Sequence, residues 1–212
     1  MRLNSVLLGA GMIICLLLVG CSQDNYNEAT SFTEDAIQTS ESKSEIIESV
    51  KNENSTNIEA LISNHFPFVD SVVKDNSTSN IYGTDQFSVE ELANLLAETV
   101  TPEEKSEYID QQQILIYPDH FIVLKDSEEV PGATIIEVAS DEFVRNHYSP
   151  NFLSTYFAIR ILDDVLDVDD WAKKRRRACS SGDCYGGYST YKRSTTNRGM
   201  SSVRGGGPSA GK

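Results

Sequence analysis

Ile114-Leu115-Ile116-Tyr117-Pro118-Asp119-His120-Phe121-Ile122-Val123-Leu124 is the stretch that decides the fold. Two short apolar runs, Ile114 to Tyr117 and Phe121 to Leu124, flank the turn residues Pro118-Asp119. Such runs bounded by turn chemistry read as strands, and the short turn between them predicts a hairpin. After Val130-Pro131-Gly132, Thr134 to Ala139 predicts a further strand. Upstream, Phe66 to Val73 and Asn80-Ile81-Tyr82 predict two more around the polar turn Lys74 to Ser79. Strands that follow one another without alternating helices imply an antiparallel sheet. The expected class is α+β, a small antiparallel sheet with helices packed on one side.

The helices announce themselves by their ends. Ser88 with Glu91 three residues on is a capping box, and Phe87 and Leu92 stand where a hydrophobic staple belongs. Leu92, Leu95, Leu96 and Val100 then line one helical face. Ile58, Leu61 and Ile62 predict a short helix before the first strand. Thr101-Pro102-Glu103-Glu104 has a cap, a proline at the first helical position and early acids, so it predicts another. Ser140 caps a brief helix through Phe143 and Val144. Ser149-Pro150 opens a last one to about Leu166, apolar almost all round and expected at the centre of the packing.

Outside this body the composition changes. Met1-Arg2 precedes the apolar run Val6 to Val19, 14 residues long, where a spanning helix needs roughly 20. A basic start and a short apolar run read as a signal peptide over 1–20. The run ends in Leu18-Val19-Gly20-Cys21, a lipobox that predicts cleavage before Cys21 and lipid on its thiol. Residues 21–56 are rich in Ser, Thr, Asn and Glu and read as a disordered tether. Residues 57–172 form the expected folded domain. Residues 173–212 read as a basic Gly/Ser/Arg-rich tail with a small cysteine loop. Cys179 and Cys184 are the thiols left after export and lipidation, and an exported pair is a disulfide candidate.

The net charge of -14 conceals a division. Cys21 to Trp171 holds 31 acids against seven bases, whereas Lys173 to Lys212 holds ten bases against one acid. Lys173, Lys174, Arg175, Arg176 and Arg177 are the densest part of that tail. They are the candidate contact for anionic lipid or wall polymer, the rival being a tail folded back on its own acidic body. The acidic body gives no expectation of a nucleic-acid partner. The partner expected is the membrane, through the lipid, and the sequence names no protein partner.

The chain resembles an uncharacterised family of lipoproteins from Gram-positive, spore-forming bacteria that carries a domain of unknown function. The resemblance rests on the lipobox, Ile81-Tyr82, Thr101-Pro102-Glu103-Glu104, Leu115-Ile116-Tyr117 and Ile135-Ile136-Glu137-Val138. It continues through Phe143-Val144-Arg145-Asn146, Tyr148-Ser149-Pro150-Asn151-Phe152-Leu153 and Cys184-Tyr185-Gly186-Gly187-Tyr188. It implies an extracytoplasmic location and one shared domain, and the lipobox itself predicts the lipid anchor on the cell membrane. It assigns no catalytic residue.

Candidate chemistry is sparse. His65, His120 and His147 lack the i, i+4 spacing of a helical zinc site. Asp163, Asp164, Asp167, Asp169 and Asp170 lack the glycine and closing glutamate of a calcium loop. No metal and no cofactor is expected. Glu137 stands out because it interrupts an apolar strand, and a buried carboxylate needs partners. Arg145 and Tyr148 follow it within reach. A Glu137/Arg145/Tyr148 pocket would be the site of an enzyme or ligand-binding protein acting on a wall glycan or peptide. Against it stands a structural ion pair or a solvent-facing Glu137. The favoured reading is a non-enzymatic interaction domain of the cell envelope. A two-lobed transport receptor does not fit so short a folded region.

Overall fold

The computed structural model describes residues 32–53, 55–182 and 184–191. The expected signal peptide and lipobox with Cys21, and the chain beyond Tyr191, lie outside the described residues. Six strands, β1 (Phe68–Lys74), β2 (Ser77–Thr84), β3 (Glu104–Lys105), β4 (Gln112–Ile116), β5 (His120–Asp126) and β6 (Thr134–Ser140), form one sheet. Its order is β1-β2-β6-β5-β4-β3, and every pairing is antiparallel. The antiparallel sheet of the α+β class is thus present, with the β4–β5 hairpin at the stretch that predicts it. Asp75 and Asn76, at φ 45° and 68°, make the tight β1–β2 turn. Both central residues of such a turn sit in the left-handed region, which Asp and Asn tolerate.

Helices cover both faces rather than one. On one face lie α2 (Lys43–Asn52), α3 (Ile58–His65) and α4 (Val89–Thr99). They pack on Leu115, Ile122, Leu124, Ile136 and Val138. The other face carries α1 (Glu34–Ile37), α5 (Asp141–His147), α6 (Pro150–Leu153), α7 (Ile159–Val165) and α8 (Trp171–Ala178). Its floor is Ile81, Ile114, Phe121, Val123, Ile135 and Ala139. Alternate residues of β4, β5 and β6 therefore serve two cores. That is the physical reason these strands read as unbroken apolar runs instead of alternating ones.

The helix starts agree with their sequence signals where those are strongest. The Ser88 side chain accepts from the Glu91 N–H, and Glu91 reaches back to the Ser88 N–H. Ser140 caps α5 through the Phe143 N–H. Thr101-Pro102-Glu103-Glu104 is not a helix. Glu103 and Ser106 donate their N–H groups to the Ile116 and Ile114 carbonyls, and Glu104–Lys105 becomes edge strand β3. The open backbone of β4 outbids a local helix signal that is worth little without a buried face. The helix expected from Pro150 to Leu166 is broken into α6 and α7. Ser154 and Thr155 turn their hydroxyls onto the Asn151 carbonyl at the break. The break lets Leu153, Phe157, Leu162 and Leu166 all join one core, which residues at those spacings on a straight helix cannot do.

The folded unit is wider than 57–172. Phe32, Ile37, Ile46 and Val50 are buried, although they lie in the region read as tether. Ser42 and Glu45 form a second capping box, and Lys43 and Lys51 of α2 pair with Glu91 and Glu98 of α4. Gly83 on β2 admits α1: a Cβ there would overlap Ile37 Cγ2 and the Phe32 ring. At the other end Trp171, Ala172, Tyr185 and Tyr188 join the core. The few apolar residues of both flanks sit at the spacings that meet a face, which composition averaged over a window cannot register.

Candidate functional site

Glu137 is the chemical centre of the face that carries α5 to α8. Its neighbours on β6 alternate, so Glu137 shares a side with Ile135 and Ala139 and is buried, 1 % exposed. The strand β2 presents Ser79 on the same side, and its hydroxyl donates to Glu137 Oε1 at 2.8 Å. Tyr148 at the end of α5 donates its hydroxyl to the same oxygen, also at 2.8 Å. The third partner comes from 51 residues away: the Tyr188 N–H donates to Oε2 at 3.0 Å. The buried Tyr185 hydroxyl faces the same carboxyl without the geometry of a regular hydrogen bond. Burial pushes the Glu137 carboxyl above its ordinary range, and the donors pull the other way without cancelling it. The same burial, with the Glu137 charge, drives the Tyr148 and Tyr185 phenols well above theirs.

The segment Cys184-Tyr185-Gly186-Gly187-Tyr188 is therefore a latch across the sheet. The Tyr185 N–H donates to the His147 carbonyl at 2.8 Å, and the Ser149 N–H donates to the Tyr185 carbonyl at 2.7 Å. Tyr185 packs edge-on against Phe143 and Tyr148, with ring centres 5.3 and 5.1 Å away. Gly187 has φ +88° and lies against Phe152 and Glu137 Oε2, so the chain passes where a side chain would be strained. The Tyr188 hydroxyl ends on Asp70 Oδ2 at 2.8 Å. Cys179 and Cys184 form a disulfide just before the latch, with Cα atoms 5.2 Å apart. Arg175 turns inward and donates to the Tyr148 carbonyl and to Cys184 Sγ.

Of the three residues expected to share a pocket, Glu137 and Tyr148 meet and Arg145 does not. Arg145 forms an ion pair with Asp141 one turn earlier on α5, while its carbonyl accepts the Trp171 indole N–H at 3.1 Å. The positions that take its place, Ser79 and Tyr188, carried no local sign of their role. Only the tyrosines and paired glycines of the C-terminal motif offered a hint. The remaining basic residues of α8 point outward: Lys173, Lys174, Arg176 and Arg177 are exposed, and none has an ion pair among the described residues. The histidines are scattered. His65 pairs with Glu53 at 2.6 Å, His120 with Glu59 at 3.2 Å, and His147 bonds the Ser77 hydroxyl at 3.1 Å. Burial pushes the His147 imidazole down from its usual range. Among the described residues no group of three or more His, Cys, Asp or Glu could hold a metal ion, and no helix is long and apolar enough to cross a membrane.

Beside Glu137 the latch leaves a half-open cavity of about 190 Å³ between itself, β4–β6 and the Phe152 and Tyr156 rings. Comparison with known families places residues 45–211 in a domain of unknown function, DUF4247. No curated protein and no solved structure matches the chain.

Proposed function

This chain belongs to the DUF4247 domain-of-unknown-function family, and we propose that it is an extracytoplasmic lipoprotein, anchored to the cell membrane by lipid on Cys21, whose domain is a non-enzymatic interaction module. The lipobox Leu18 to Cys21 behind a short apolar run supports the anchor. The engagement of Glu137 by three internal donors supports the module. Ser79, Tyr148 and the Tyr188 backbone engage its carboxyl, so the one acid that resembles a catalytic group holds the fold closed instead. Arg145, which a carboxylate-based site would need, is committed to Asp141.

The exposed face of α8 supplies the second contact in this reading. Lys173, Lys174, Arg176 and Arg177 carry no intramolecular ion pair among the described residues, which favours an external anion over a clamp on the acidic body. Each such charge near an anionic membrane contributes about 1 kcal/mol, so the four act as a weak second anchor behind the lipid.

One experiment with three arms tests the reading. Cells are fed an alkyne fatty acid, and wild type, Cys21→Ala and a Lys173/Lys174/Arg176/Arg177→Gln variant are fractionated at low and high salt. Wild type is expected to carry label and stay in the membrane fraction at both salts. Cys21→Ala should lose the label and wash off at high salt, while the quadruple variant keeps its label. Label retained by Cys21→Ala ends the anchoring claim. Salt-independent behaviour of Cys21→Ala ends the claim for α8.

A further inference from the structure

The cavity beside Glu137 has no task in anchoring or in closing the fold. At about 190 Å³ it has the volume of some six waters at roughly 30 Å³ each. That is below the roughly 300 Å³ at which drug-sized pockets begin, so a single ring-sized molecule is the largest occupant. Its walls are chemically unlike one another. Phe152 and Tyr156, with ring centres 5.6 Å apart and planes 60° apart, form an apolar wedge. Gly186 and Gly187 lie on another side, and Glu137, 1 % exposed, stands in the wall between them and the sheet. Asp110 and Lys125 stand at the rim, the lysine already bridged to Glu128 at 3.3 Å.

Gln112 is the group that asks for a ligand. It lies in the cavity wall, only 5 % exposed, and its buried side-chain nitrogen has no hydrogen-bond partner among the described residues. An unpaired buried donor is costly, and native structures seldom leave one without purpose. The terminal amide torsion of glutamine is soft, so a ligand oxygen can draw the N–H to the cavity surface. Charge narrows the ligand. An anion would face Glu137 and Asp110. A cation offers those acids a donor but gives the Gln112 N–H no acceptor. A zwitterion must bury two full charges against a lysine already engaged by Glu128, which costs more than the contacts return. A neutral polyhydroxylated ring both donates to the carboxyls and accepts from the amide, and its C–H face suits the aromatic wedge.

We propose that this cavity binds one neutral pyranose unit, with the ring against Phe152 and Tyr156, a hydroxyl oxygen on the Gln112 amide and hydroxyl donors toward Glu137 and Asp110. The lipid-free chain starting at Ser22 would be mixed with glucose, N-acetylglucosamine and their β1→4 disaccharides, and with alanine and lysine as zwitterionic controls. Saturation-transfer NMR reports contact, and titration gives Kd. At least one saccharide is expected to bind saturably through its ring C–H groups. A monosaccharide that binds as tightly as its disaccharide identifies a free sugar; a tighter disaccharide identifies a glycan end. Both Gln112→Leu and Tyr156→Ala, at a partly buried position, should weaken binding at least tenfold, with circular dichroism confirming the fold. Tyr156→Ala decides the matter if Gln112→Leu does not fold. No saccharide contact at about 10 mM, binding unchanged in the folded variants, or a preference for the amino acids would overturn the proposal. None of these outcomes bears on lipid at Cys21.

Discussion

Glu137 shows how one side chain can decide the pH response of a fold. Its carboxyl titrates above its ordinary 4.5 because burial outweighs its donors. The folded state therefore holds the proton more tightly than the unfolded state. Stability is full below about pH 4.5 and falls as pH rises through the raised folded pKa, by at most about 1.4 kcal/mol per pH unit. Glu91 runs the opposite way. Lys43 and the Ser88 cap hold it down to about 2, so its contribution is present above 4.5 and lost on acidification toward 2. The two windows do not overlap, but the buried His147 imidazole, pushed below its usual 6.5, adds a rise in stability up to that pH, so Glu137 is read from the difference between wild type and variant. In Glu137→Gln that decline should vanish, because an amide keeps an acceptor for the Tyr188 N–H while the Ser79 and Tyr148 hydroxyls rotate to accept. Chemical denaturation from pH 4.5 to 8 checks this, and parallel curves for the two proteins would refute it. Glu137→Ala strands three donors at once and should cost about 3–5 kcal/mol. That Glu137 needed partners was legible from its place in Ile135-Ile136-Glu137-Val138. Which partners it found was not, because Ser79 and Tyr188 approach it only through the strand order and the latch.

At the scale of elements, local signals prevailed where a face was waiting for them and failed where a stronger partner stood nearby. The capping box of α4 carried over unchanged because Leu92, Leu95 and Leu96 found the sheet. Thr101-Pro102-Glu103-Glu104 lost its helix to the free edge of β4. The contact of α1 with Gly83 leaves no room for a side chain at that position. Gly83→Ala places a methyl inside the Ile37 and Phe32 contacts. It should cost about 1–3 kcal/mol by overpacking. Hydrogen exchange should rise first at 34–37, leaving β4–β6 protected. Uniform loss of protection across the sheet would show instead that α1 is part of the global folding unit. A lone glycine inside a strand often marks the close approach of another part of the chain, and Gly83 in β2 meets that rule through α1.

Over the whole molecule, the disulfide and the latch tie the C-terminal segment to the sheet. Closing the short loop from Cys179 to Cys184 restricts the unfolded chain by about 2 kcal/mol. Because Tyr185 and Tyr188 lie in the core, that restriction should be felt globally and not only in a peripheral loop. A Cys179→Ser, Cys184→Ser double variant is therefore expected to unfold about 2 kcal/mol earlier in urea, in one transition shared by Trp171 fluorescence and far-UV circular dichroism. Two separate transitions would mean that the latch opens independently of the sheet.

Sequence by itself determined five of the six antiparallel strands, the caps of α4 and α5 and the division of charge. These rest on local chemistry: period, turn residues, hydrogen-bonding side chains, and spacing along a few residues. Only the tertiary structure decided that both faces of the sheet are covered, that 32–53, 171–182 and 184–191 belong to the fold, and that Arg145 leaves Glu137 to Ser79, Tyr148 and Tyr188. Each of those outcomes depends on a surface or a buried charge created by residues far away in the chain. A segment with two or three apolar side chains looks unfoldable alone, and it becomes a helix or a latch once another part of the molecule supplies the face that buries them.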